Sequence, residues 1–161
     1  MRQARVSRKT NETDVTVELC LDGKGSCSAV TGIGFLDHML HHLAVHGLFD
    51  LRVEARGDLA VDPHHTVEDV ALVLGQTLDQ SLGDRAGIVR MGSALVPMDE
   101  ALAQVAVDLS GRPACVVQAS WHGPAIGALP TSLVGHFLSS LSITGRLTPI
   151  YLRFYNAMYQ T

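Results

Sequence analysis

Two stretches of this chain are written twice, and the repetition constrains its fold more than composition does. Glu12–Gly23 (Glu-Thr-Asp-Val-Thr-Val-Glu-Leu-Cys-Leu-Asp-Gly) resembles Glu100–Gly111 (Glu-Ala-Leu-Ala-Gln-Val-Ala-Val-Asp-Leu-Ser-Gly) at an offset of 88. Asp37–Leu43 resembles Gly135–Leu141 at an offset of 98, which aligns His38 with His136. The ten extra residues fit a longer loop around Trp121–Thr131. A unit of strand, strand, helix, strand, helix is therefore expected twice within one domain, over about residues 1–91 and 92–161. At the second offset the counterpart of His64 falls just past Thr161, so the second unit is expected to lack its last helix.

The elements of the unit are readable from periodicity. Asp14–Leu21 alternates apolar and polar residues, as a half-buried strand does. Asp22-Gly23-Lys24-Gly25 reads as a turn and Ser26–Thr31 as a return strand, which predicts a β-hairpin. From Phe35 to Val45 the apolar residues recur at helical spacing, and His38, His42 and His46 fall four apart along one flank. Phe49–Glu54 reads as a strand and Gly57–Val61 as a short extended piece. The helix from His64 to about Leu82 carries a packing stripe of Val67, Val70, Ala71, Leu74, Thr77 and Leu78. Gly87–Arg90, Gly92–Leu95 and Leu147–Phe154 are further strand-like segments.

The formal charge of −4 and the scattered placement of twelve Lys and Arg residues argue against nucleic-acid binding. No apolar leader follows Met1 and no run approaches the length of a membrane span, so a cytoplasmic protein is expected. With 47% hydrophobic and only 5% aromatic residues, the core must be built from Val, Leu and Ala. Cys20, Cys27 and Cys115 have no metal-ligand spacing. Cys20 and Cys27 flank the Asp22–Gly25 turn, where they could face one another, but reduced thiols are the expectation.

Chemistry gathers at Asp62-Pro63-His64-His65-Thr66-Val67-Glu68-Asp69. Asp62 suits an N-cap and Pro63 a first helical position, which sets His64, His65 and Glu68 on the opening turns of a helix. Neighbours on a helix diverge by about 100°, so His65 and Glu68 can share one ion while His64 points elsewhere. The bland reading is a helix start with solvated imidazoles and a carboxylate favoured by the helix dipole. His38, His64, His65, Glu68 and His136 form the candidate ligand set. Mixed nitrogen and oxygen donors suit manganese, iron, zinc or nickel, and the absence of a CxxC pattern argues against a structural zinc.

Five segments together resemble the imidazoleglycerol-phosphate dehydratases of histidine biosynthesis. They are Arg8-Lys9-Thr10-Asn11-Glu12-Thr13, Gly34–Leu40 with His46-Gly47, His64–Asp69, Pro97-Met98-Asp99-Glu100-Ala101, and Asp108-Leu109-Ser110-Gly111-Arg112-Pro113. An unrelated two-metal hydrolase would share the ligand types but would not explain the last two segments. The resemblance implies an α+β fold of two duplicated, ferredoxin-like sheet-and-helix halves packed together, the second incomplete here. It also implies a large homo-oligomeric shell with two Mn2+ ions per site at subunit contacts.

By position, His38, His65 and Glu68 resemble the ligands of one ion, and His64 and His136 those of the other. Glu12, His38, His46, His64, His65, Glu68, Arg90 and Arg112 resemble substrate-binding residues, with the arginines suited to a phosphate and Glu12 to acid/base or orienting work. The implied reaction dehydrates D-erythro-imidazole glycerol phosphate to imidazole acetol phosphate through a metal-stabilised imidazolate. Family members carry a second histidine pair and glutamate where this chain has Tyr159, Gln160 and Thr161. The alternative expectation is a catalytically impaired or truncated relative that keeps the fold and assembly surface.

Overall fold

A computed structural model describes residues 1–99, 101–121 and 123–156, the last nine of them by their backbone. β1 (Gln3–Lys9) and β2 (Thr13–Cys20) form an antiparallel hairpin across the turn at residues 10–12. β4 (Asp50–Gly57) pairs antiparallel with β2, and β3 (Cys27–Val30) pairs parallel with β4. The order β1-β2-β4-β3 corrects the expected hairpin between the strands at Asp14–Leu21 and Ser26–Thr31, because β4 lies between them. The Asp50 carboxylate accepts the backbone N–H groups of Lys24 and Ser26 at 2.9 and 3.0 Å, fixing the Asp22–Gly25 turn to β4.

The second sheet repeats the arrangement. β5 (Met91–Met98), β6 (Ala101–Asp108), β7 (Cys115–Gln118) and β10 (Thr148–Asn156) stand in the order β5-β6-β10-β7, again with one parallel edge pair. The long insertion carries a small ribbon of β8 (Ala125–Ile126) and β9 (Leu129–Pro130). Strand structure begins at Met91, so the expected extended segment at Gly87–Arg90 is loop, and Gly57–Val61 beyond β4 is loop as well. Residues 157–161, which include the Tyr159, Gln160 and Thr161 set against the family's second histidine pair and glutamate, lie outside the described residues.

Two helices make the duplication visible in the backbone. α1 (Gly34–Gly47) and α3 (Ser132–Gly145) are each 14 residues long, and each is closed by a residue in the left-handed region, Leu48 at φ 56° and Arg146 at φ 52°. These closures lie 98 positions apart, the offset of the sequence repeat. Left-handed geometry is unfavourable for residues other than Gly and Asn, so its recurrence reflects a shared fold. α2 (His64–Leu82) has no counterpart among the described residues. No described helix is long and apolar enough to cross a membrane.

α2 is the central beam. Its Val67, Val70, Val73 and Leu74 pack with Val15, Val17, Leu51, Val53 and the α1 residues Leu36, Leu40 and Ala44 in one buried cluster. The opposite flank meets α3, where Gly75 lies against Gly145 with 3.4 Å between an ideal Cβ on Gly145 and the Gly75 Cα. Burial on both flanks explains why α2 lacks a broad polar face and why eleven of its 19 residues are buried.

Candidate metal centre

The start of α2 is built by Asp62 and Pro63. The Asp62 carboxylate accepts the His64 N–H at 2.6 Å, and the Pro63 carbonyl accepts the Val67 N–H at 3.0 Å. The helix therefore opens at His64, with Pro63 in the cap position and Asp62 supplying the capping oxygen from one residue further out. This one-residue displacement leaves His64, His65 and Glu68 on the opening turns, as the sequence predicted.

Glu68 meets two imidazoles. Its Oε2 lies 3.6 Å from His64 Nε2, one helical turn back, and its Oε1 lies 3.2 Å from His136 Nε2 on α3. The His64 and His136 rings are 4.7 Å apart, and potential ligand atoms of all three residues lie within 4.8 Å of one another. His136 Nε2 is buried and has no hydrogen-bond partner, so the nearby Glu68 oxygen has reach without the required angle. The cluster joins the halves, because His64 and Glu68 come from the first and His136 from the second.

Within one chain Glu68 ion-pairs with His64, four residues back, whereas its expected co-ligand His65, three residues back on the same helix face, turns to Asp58. His65 places Nδ1 3.1 Å from an Asp58 oxygen just beyond β4. That hydrogen bond raises the pKa of His65 against the opposing effect of burial, with further help from the charges of Asp58, Glu12 and Asp62. Asp58, Glu12 and Arg56 line one shallow depression beside this imidazole. Asp58 was not singled out from the sequence, and its only signal was a carboxylate in the loop feeding the His-His helix.

His38 stands apart from the trio, on α1. Its Nε2 is 3.1 Å from His42 Nε2, and His42 Nδ1 is 3.4 Å from His46 Nε2. Burial and the neighbouring His38, His46 and His41 lower the pKa of His42, favouring a neutral ring at the middle of the row. Arg90 is held by both oxygens of Asp108 at 2.6 and 2.8 Å, and the guanidinium in turn pulls the Asp108 pKa down. The charge of Arg112 also helps to lower the Asp108 pKa. Among the described residues the ion-pair partners of Glu68 are His64 and His136, so neither arginine pairs with Glu68 within one chain.

Fold and site together define an α+β protein of two duplicated, ferredoxin-like halves with a histidine-carboxylate cluster at their seam. Its sequence and structural relatives agree. The imidazoleglycerol-phosphate dehydratase family model matches residues 31–157. The chain is 59% identical over 145 residues to the imidazoleglycerol-phosphate dehydratase of Chloroflexus aggregans, covering 90% of this chain and 71% of that one. To the enzyme of Methanothermobacter thermautotrophicus it is 54% identical over 147 residues, covering 91% and 76%. The crystal structure of the Staphylococcus aureus dehydratase superposes with a TM-score of 0.84 at 33% identity, over 96% of this chain and 84% of that one. This chain belongs to the imidazoleglycerol-phosphate dehydratase family, the lyases that carry out a dehydration in histidine biosynthesis.

Proposed function

We propose that this chain dehydrates D-erythro-imidazole glycerol phosphate to imidazole acetol phosphate with the help of bound manganese. The observation that carries the reading is the convergence of His64, Glu68 and His136, drawn from both halves onto one point. Two imidazoles and a carboxylate suit a divalent ion of this class, and the buried, unpartnered His136 Nε2 is the kind of atom an ion would satisfy. His64, Glu68 and His136 would hold one ion, and His38 and His65 would serve a second, completed at a contact between copies in a large homo-oligomer. When bound, the ions would withdraw charge from the imidazole ring of the substrate and favour its imidazolate form.

The remaining work falls to the chain's own side chains. Glu12, an exposed carboxylate beside the His65 depression, would remove or orient the carbon-bound proton. Arg112 would grip the phosphate, and Arg90 would join it by exchanging Asp108 for phosphate oxygens. His46, at the far end of the α1 row, would line the substrate's approach. Such a biosynthetic enzyme would work in the cytoplasm.

The test is turnover of imidazole glycerol phosphate with and without added Mn2+. We expect activity that depends on manganese and disappears on chelation. A folded protein with no turnover at any manganese concentration would refute the catalytic reading and leave the impaired relative.

A further inference from the structure

We propose that Asp69 is a positioning residue that sets the Glu12 turn against the opening of α2 through a one-way chain of hydroxyl groups. Its kinetic consequence rests on the dehydratase reading, whereas its structural consequence does not.

Asp69 follows Glu68 directly, yet its side chain is turned away from the metal trio and is only 8% exposed. A buried carboxylate needs partners, and Asp69 draws both of its partners from the first hairpin. Alternation along β1 puts Ala4, Val6 and Arg8 on the α2 side, and Arg8 Nε lies 3.4 Å from Asp69 Oδ1. Thr13, buried at the start of β2, donates its hydroxyl to Asp69 Oδ2. Between them these contacts tie α2 to both strands that flank the Glu12 turn.

The direction of the chain follows from chemistry. An ionised carboxylate only accepts, so Thr13 spends its single proton on Asp69. The Thr10 hydroxyl, 3.1 Å from Thr13 Oγ1, must then be the donor in that pair. The Thr10 oxygen is left to accept, and it receives the backbone N–H groups of Glu12 at 3.2 Å and Thr13 at 2.9 Å. One carboxylate thus orders two hydroxyls and two amides, ending at the residue assigned the proton work. Gly57 closes the arrangement from β4, because a Cβ there would fall on the Thr66 hydroxyl and come within 3.4 Å of Thr13 Cγ2. No wider residue would let the end of β4 approach the turn so closely.

The experiment compares Thr13→Val, which removes the relay hydroxyl, with Thr13→Ser, which keeps it, alongside Asp69→Asn in the full chain. Amide hydrogen exchange at Glu12 and Thr13 reads the turn without reference to activity. We expect exchange there to accelerate about tenfold in Thr13→Val and Asp69→Asn, beyond any change in the α2 core, and to stay near wild type in Thr13→Ser. In turnover, Thr13→Val should lose roughly 10- to 100-fold in kcat with KM changed by no more than about threefold, because a displaced catalytic group weakens the reaction more than substrate binding. Thr13→Ser should recover most of it. Unchanged exchange at Glu12 in Thr13→Val, or a Ser variant no better than Val, overturns the proposal. An inactive wild-type protein refutes the dehydratase reading instead and leaves the exchange comparison to decide this one.

Discussion

Gly75 is where two opposing effects on α2 can be weighed. Alanine is preferred over glycine inside a helix by about 0.5–1 kcal/mol, so Gly75→Ala ought to stabilise a freely exposed helix. Here the added methyl would fall on the Thr144 hydroxyl and sit 2.6 Å from the Leu141 carbonyl oxygen and 2.7 Å from the Gly145 nitrogen. Two of those atoms are backbone and cannot rotate aside, so the α2–α3 crossing must open by about 0.7 Å to restore ordinary contact. Overpacking of this kind costs about 1–3 kcal/mol, which exceeds the propensity gain and leaves a net loss of about 1–2 kcal/mol.

For a chain of this length that loss lowers Tm by roughly 2–8 °C. Gly145→Ala is the control, since its Cβ would meet the Gly75 Cα at 3.4 Å and the Gly75 carbonyl oxygen at 3.5 Å. Its Tm should stay within about 2 °C of wild type. Calorimetric unfolding of the metal-free protein measures both. Opening the crossing should also draw His136 away from Glu68 and weaken manganese binding, which titration calorimetry would read. An unchanged or raised Tm for Gly75→Ala would show that the crossing has slack and that propensity wins.

His136→Ala should remove the first manganese ion bound, whereas His65→Ala should spare it; equal loss in both variants would refute the grouping of Glu68 with His64 and His136. In the metal-free protein the Asp58 hydrogen bond holds the pKa of His65 above its ordinary value. The stabilisation from that pair is therefore full below the unfolded pKa of histidine and is lost as pH rises through the raised folded one. Asp58→Asn should lower the His65 pKa in an NMR titration and flatten that part of the stability profile. Leu40→Ala, at a side chain 2% exposed between α1 and the first sheet, should cost about 2–5 kcal/mol in denaturant unfolding. All three cysteines are free, and β4 separates the strands carrying Cys20 and Cys27 by two interstrand spacings, about 10 Å. Mild oxidation should therefore leave both thiols titratable, since a disulfide cannot span that gap.

What could be read from the sequence was what local chemistry decides. Asp62 and Pro63 before α2 and Gly83 after it punctuate the chain so firmly that the helix runs over the expected His64–Leu82. Five of the six residues named for its stripe are buried, Leu78 alone being only partly so. β1 is hard to read from the sequence because Gln3–Lys9 is largely polar, as suits an edge strand that must discourage pairing with strangers. The partner of β3 was also hidden. A glycine turn after β2 invites a hairpin, and only the long-range insertion of β4 reveals a parallel pair instead. At the site, the sequence supplied the ligand types. Whether Glu68 turns to the imidazole three residues back or four depended on where α3 lies, and no local signal carries that.

The repeat makes His38 and His136 equivalent positions on equivalent helices, yet their surroundings differ in a way that bears on how such a site is completed. His136 has its carboxylate because α2 packs along α3 and brings Glu68 to it. Among the described residues His38 meets the imidazole of His42 and the ring of Phe35 on its own helix, and no helix packs along α1 as α2 packs along α3. A duplicated fold therefore carries one histidine set against a carboxylate of the neighbouring helix and one set against rings of its own helix. If His38 serves one ion together with His65, as proposed above, the rest of that ion's ligand set must come from outside the described residues of a single chain. Manganese binding that depends on His38 should then rise with protein association, while binding that depends on His136 should not.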